Sequence, residues 1–273
     1  MQRVLVTGAA GGVSQQIRQH LRSRYPEIVL SDIVKPQNIE RGEVFISADL
    51  ADSAACEEIC EGIDGIVHLG GMSVEQPWED ILRCNIAGCY NIFEAARKKK
   101  VKRIIFASSN HAVGFYPRSQ TIADDVTLRP DSRYGVSKAF GEALGAMYAY
   151  KHGLSVTCLR IGNVGPVPLD ERRLSIWISA SDLFQLIKIG LERPDIVFEI
   201  MYGISDNRRA WFDNKRAFDL GYAPEGQSEP FAADILTASQ GEPKNEVSEY
   251  YQGGTYCADE YTADFNVIMA HDK

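Results

Sequence analysis

The first fourteen residues constrain the fold more than any other stretch. The apolar run Arg3-Val4-Leu5-Val6-Thr7 passes directly into Gly8-Ala9-Ala10-Gly11-Gly12-Val13-Ser14, and a helical pattern follows. A strand that ends in a glycine turn and continues as a helix is the opening of a βαβ unit, and it leaves bare backbone N–H groups at the helix start. The alternation continues along the chain. Short apolar runs at 3–7, 28–31, 44–47, 65–68, 103–107 and 155–161 are separated by longer segments with apolar residues three and four apart, among them 80–93 and 133–150. This pattern predicts an α/β fold, a Rossmann-type doubly wound parallel sheet with helices on both faces. Past Ile161 the pattern breaks: Pro166 and Pro168 mark a loop, a helix is expected at 182–191, one strand at 196–201, and polar, Pro- and Gly-bearing sequence fills 225–245. We expect one integrated domain, with a dinucleotide-binding region over 1–161 and a small C-terminal cap and tail over 162–273.

Composition narrows the class. With 45% hydrophobic and 24% charged residues among 273, the chain is globular rather than disordered. Its net charge of −8 disfavours nucleic acid and anionic lipid as partners, so an anionic ligand needs a local basic pocket. No run approaches the roughly 18 apolar residues of a membrane helix. The first strand begins at Arg3, too early for a signal peptide, so a cytoplasmic location is expected. The six cysteines (Cys56, Cys60, Cys84, Cys89, Cys158, Cys257) form no Cys-x-x-Cys pair and read as free thiols. The five histidines have no metal-ligand spacing with one another or with the cysteines, and no metal site is expected. Lys98-Lys99-Lys100 reads as a solvated helix C-terminus.

Two constellations carry chemistry. The glycine turn has the spacing Gly-x-x-Gly-x-x-Ser, which lets the backbone approach a pyrophosphate, with Ser14 in place of the usual third glycine. Asp32 follows 24 residues after Gly8, at the end of the second strand. A carboxylate there accepts hydrogen bonds from ribose hydroxyls and repels a 2′-phosphate, which favours NAD over NADP, although Lys35 nearby softens the preference and a helix or turn cap is the alternative role. The second constellation is Tyr134-x-x-x-Lys138, phenol and ammonium on one helix face, with Ser108 and Ser109 ending the fifth strand. A lysine cation beside a tyrosine favours the phenolate, and a phenolate can take a proton.

These features, with Asp49-Leu50, the glycine turn after the fourth strand and Asn85 in the following helix, resemble the extended short-chain dehydrogenase/reductase superfamily. More specifically, His68-Leu69-Gly70-Gly71-Met72-Ser73-Val74-Glu75, Ser108-Ser109-Asn110-His111, Tyr134-Gly135-Val136-Ser137-Lys138, Arg160-Ile161-Gly162, Arg172 with Leu174-Ser175, and Gln252-Gly253-Gly254-Thr255 are similar to the uronate dehydrogenase family. The resemblance implies NAD-dependent oxidation of the anomeric carbon of a hexuronate, glucuronate or galacturonate, to an aldarolactone, by an enzyme expected to be a homo-oligomer. It implies Tyr134 as general base, with Lys138 and Ser109 beside it. Gly8, Gly11, Gly12 and Val13 would wrap the pyrophosphate, Asp32 the ribose, and Asp49 and Leu50 the adenine. Leu69, Gly70, Gly71, Ser73, Asn85, Tyr134, Lys138 and Ile161 complete the implied cofactor set, with Lys138 on the nicotinamide ribose. Arg172 would take the substrate carboxylate, Ser73, Asn110 and His111 would hydrogen-bond sugar hydroxyls or the carboxylate, and Ser109 and Asn163 would meet hydroxyls. Asn163 stands where the family commonly has serine.

Two other readings stay open on the sequence. A nucleotide-sugar epimerase or dehydratase uses a similar Ser, Tyr and Lys set with tightly held NAD, although only 112 residues follow Ile161 to bind the larger substrate. A non-catalytic dinucleotide sensor would use the same fold without needing the reactive groups. The tail segment 252–256 is polar yet aromatic, and is expected to pack over the substrate entrance or against a neighbouring subunit.

Overall fold

The computed structural model describes residues 1–241 and 243–272. Its centre is a seven-stranded, all-parallel sheet built from β1 (Arg3–Thr7), β2 (Glu27–Asp32), β3 (Glu43–Ser47), β4 (Gly65–His68), β5 (Arg103–Ser109), β6 (Ser155–Ile161) and, after a two-residue pairing of β7 (Asn163–Val164) with β8 (Trp177–Ile178), β9 (Phe198–Gly203). The order across the sheet is β3-β2-β1-β4-β5-β6-β9. Consecutive apolar residues such as Val4, Leu5 and Val6 are all fully buried because both faces are covered by helices. One face carries α2 (Ser53–Ile59), α4 (Gly88–Lys98) and α5 (Arg133–His152), packed through Ile59, Ile92, Phe93, Leu144 and Tyr148. The other carries α1 (Gly12–Arg24) and α7 (Ala180–Glu192), through Ile17, Leu21, Leu183, Leu186 and Ile187. Among the described residues no helix is long and apolar enough to cross a membrane.

Two features differ from the sequence reading. The strand expected at 196–201 pairs in parallel with β6 as the seventh strand, and the helix before it packs beside α1, so both belong to the layered sheet. The material over the carboxyl edge is therefore drawn from 162–179, which includes α6 (Arg173–Ile176), and from 204 onward. The helix expected over 80–93 begins as α3 (Trp78–Ile81) and runs into α4 through a π-wound segment, Leu82–Ala87, that contains Asn85. Such segments interrupt the regular three-and-four spacing and often mark functional sites.

Candidate active site

β1 and β4 are neighbours at the point where the strand order reverses, so a crevice opens beyond their carboxyl ends. A cavity of about 930 Å³ fills it. Its floor at one end is backbone. Gly8 has φ +67°, and a Cβ there would lie 2.8 Å from the Gly70 nitrogen, so the turns after β1 and β4 touch with no room for side chains. Thr7 fixes that contact: its hydroxyl accepts the Gly70 N–H at 3.2 Å and bonds His68 Nδ1 at 2.7 Å. Burial, then the nearby Lys138, push His68 down to about 3, so this ring stays neutral. Asp32 accepts the N–H groups of Ala10 (3.0 Å) and Val34 (3.1 Å), a turn-capping role, and also lines the cavity. Asp49 is bonded by the Ala51 N–H and by Arg83, and both hold its carboxyl below the usual range. Ser14 is buried, with no hydrogen-bond partner for its hydroxyl among the described residues. The glycine cradle, the carboxylate at the end of β2 and the unbroken course of the cavity to Tyr134 and Lys138 fit a dinucleotide.

At the other end the walls are side chains. Ser132 caps α5 by accepting the Gly135 N–H at 2.9 Å, and the first turns of that helix bring Tyr134 and Lys138 beside Ser109 at the end of β5. Burial pushes the Tyr134 phenol well above its usual range, while a hydrogen bond with Ser109 acts in the opposite direction. Burial lowers the Lys138 ammonium to about 8. Its Nζ lies 5.3 Å from the Tyr134 ring centroid. Desolvation of both groups therefore outweighs the Lys-on-Tyr effect that the i, i+4 spacing alone suggests. Under these groups, Glu142 forms a bidentate pair with Arg160 (3.0 and 2.9 Å) and accepts the Ser108 hydroxyl at 2.6 Å. Arg160 also donates to the Tyr202 hydroxyl and the Asp124 carbonyl, tying β5, α5, β6 and β9 together.

Arg172 enters the cavity just before α6. Its Nε donates to the Gln252 carbonyl at 2.7 Å, and Nη2 donates to the Asn110 side-chain oxygen at 2.7 Å, with the Asn110 amide oriented to donate to the Ile161 carbonyl. No carboxylate of the described residues pairs with it. Burial, partly opposed by Asp131, brings Arg172 down to about 10, so it remains a cation at neutral pH. His111 is bonded through Nδ1 to Asp131 at 2.7 Å and stacks on Tyr256 at 3.9 Å between centroids. The tail segment supplies both Tyr256 and the carbonyl that holds Arg172.

All the expected site residues line this one cavity except Asn85. The Asn85 side chain accepts the Met72 N–H (2.7 Å) and donates to the Met72 carbonyl (3.0 Å) and the Ser137 hydroxyl (2.9 Å). Those bonds fix the loop after β4 against α5, so Asn85 positions the wall instead of forming it. Sequence reasoning missed Asp131, Glu142 and the stacking of Tyr256, because each acts through a neighbour distant in sequence.

Fold and site together define a dinucleotide-dependent enzyme built on an extended βαβ sheet, and the NAD dependent epimerase/dehydratase family matches residues 4–199. The chain belongs to that family and, within it, to the uronate dehydrogenases. It is 43% identical over 256 residues to the uronate dehydrogenase of Pseudomonas putida, covering 93% of this chain and 95% of that protein. The crystal structure of a glucuronic acid dehydrogenase from Chromohalobacter salexigens is similar, with TM-score 0.91 and 43% identity over 94% of this chain and 97% of that one. A point mutant of the Agrobacterium tumefaciens uronate dehydrogenase complexed with NAD matches with TM-score 0.91 and 40% identity, again over 94% and 97%.

Proposed function

We propose that this protein oxidises the anomeric carbon of a free hexuronate, D-glucuronate or D-galacturonate, to the aldarolactone with NAD. The observation that carries this reading is Arg172, a half-buried guanidinium in the wall of the cavity with no carboxylate partner among the described residues, in a chain of net charge −8. A planar guanidinium binds both oxygens of a carboxylate, and in a desolvated wall that contact is strong. NAD, when bound, supplies the hydride acceptor. Tyr134 accepts the proton of the C1 hydroxyl, and Ser109 hydrogen-bonds that hydroxyl and Tyr134 together. Lys138 contributes the positive charge that favours the phenolate, against the burial that opposes it. Asp32 takes the ribose hydroxyls, and the glycine cradle takes the pyrophosphate. Ser73, Asn110, His111 and Asn163 hold the remaining polar groups of the sugar. Six unpaired cysteines support a reducing, cytoplasmic setting, and exposed Trp78, Leu82 and Tyr90 along one helical stretch support a homo-oligomer.

The test is NADH absorbance in separate reactions with NAD plus glucuronate, galacturonate, glucose or UDP-glucose. Turnover confined to the free uronates is expected. Silence with both uronates in protein that binds NAD refutes the reading; UDP-glucose converted to another sugar nucleotide without net NADH, followed by chromatography because an epimerase or dehydratase returns the hydride to the sugar, or NAD retained through purification, would favour the nucleotide-sugar alternative.

A further inference from the structure

The mechanism above leaves Asp131 without a task, yet the fold makes unusual room for it. Its side chain is fully buried, on the loop that enters α5, and the only basic side chain within ion-pair reach of it among the described residues is His111. Three glycines from separate segments crowd the carboxylate. A Cβ at Gly114 would lie 1.8 Å from Asp131 Oδ2, one at Gly253 2.1 Å from the same atom, and one at Gly135 3.1 Å from Oδ1. The two residues are joined twice, since Asp131 N–H also donates to the His111 carbonyl at 3.3 Å. Ser132 Oγ donates to Oδ1 at 2.8 Å. The His111 ring is clamped between this carboxylate and the face of Tyr256, and its centroid lies 5.9 Å from that of Tyr134 in an edge-to-face arrangement. His111 lines the cavity, and its Nε2 has no partner among the described residues.

A carboxylate only accepts hydrogen bonds, so the proton between the two groups sits on Nδ1, and in the neutral form of such a ring the second nitrogen is an acceptor. We propose that Asp131 is a positioning residue for substrate recognition: it fixes His111 in the Nδ1–H tautomer, so that Nε2 accepts a sugar hydroxyl while Arg172 alone takes the carboxylate. This deepens the uronate reading and rests on it. An acceptor nitrogen backed by a buried anion faces a substrate carboxylate with lone pairs against lone pairs, but a hydroxyl with complementary polarity. The two contacts therefore divide the substrate between them.

The tautomer is read directly on the wild-type protein, with ¹⁵N-labelled histidine and long-range proton–nitrogen correlation at pH 8, His111 being assigned by its loss in His111→Gln. Protonated Nδ1 with unprotonated Nε2 is expected, and the reverse pattern overturns the proposal whether or not any variant folds. Asp131→Asn keeps the shape but can donate to the ring nitrogen, which favours the other tautomer. It should lower kcat/KM for the uronate about 10- to 100-fold, with NAD affinity unchanged. Added to His111→Gln, the same substitution should cost less than about 2-fold, because a residue acting only through His111 has nothing left to orient. A penalty that persists in the His111→Gln background shows Asp131 acting elsewhere and refutes the assignment. If the wild-type protein binds NAD but turns over no uronate, the function reading fails, while the tautomer still decides the Asp131–His111 pairing on its own.

Discussion

The two ends of the cavity are built from different materials. The cofactor end is made of backbone, in turns that directly follow β1 and β4, where Gly8 lies so close to the backbone of Leu69 and Gly70 that it cannot carry a side chain. The substrate end is made of side chains from 109–111, 163, 172 and 255–256, held by bonds that join segments as far apart as Arg172 and the Gln252 carbonyl. The difference is one of constraint. Backbone N–H groups recognise phosphate in any sequence that folds the same turn, so the cofactor end can stay constant while the side-chain end decides which molecule is oxidised.

The contrast can be broken most sharply at Tyr134. Tyr134→Phe removes one hydroxyl from the junction of the two ends, and should lower kcat by about 100- to 10,000-fold with NAD affinity intact, measured by single-turnover absorbance and by titration of bound NAD. If NAD affinity falls equally, the junction is not separable from the cofactor end. Next in size is the buried Glu142–Arg160 pair, both partners 3% exposed or less, which braces the sheet ends carrying the substrate side chains. Glu142→Ala leaves Arg160 buried without its counter-charge and should cost about 3–5 kcal/mol in urea denaturation. A loss under about 1 kcal/mol would mean that the network braces little. The smallest effect is expected at Asp32. Asp32→Ala removes the carboxylate that disfavours a 2′-phosphate, so the ratio of activity with NADP to that with NAD should rise, without change in uronate preference. An unaltered ratio would leave Asp32 only its capping bonds to Ala10 and Val34.

The same contrast explains what could be read from sequence. β1, β4 and β6 are legible almost residue by residue, since the glycines, the strand runs and Asp32 all lie within single βα units where spacing and periodicity speak directly. The strand at 198–203 was legible as a strand but not as part of the main sheet, because its pairing with β6 is a long-range fact that no local pattern encodes. Tyr134 and Lys138 were readable from their i, i+4 spacing, but the balance of their protonation was not, because burial outweighs the mutual effect. At the substrate end, Arg172 and His111 came only through family resemblance. Asp131 was invisible even so, since its meaning depends on three glycines from three segments and on one nitrogen of a ring twenty residues earlier.

The central claim is that the side-chain end selects a carboxylate through Arg172. The measurement that tests it most directly is the ratio of kcat/KM for glucuronate to that for glucose, in the wild-type protein and in Arg172→Ala. Loss of a charge-assisted contact of about 1.5–3 kcal/mol predicts that the ratio falls by about 10- to 150-fold while NAD affinity holds. A ratio that stays the same, with both substrates losing equally, would contradict the account and make Arg172 a structural support for the tail.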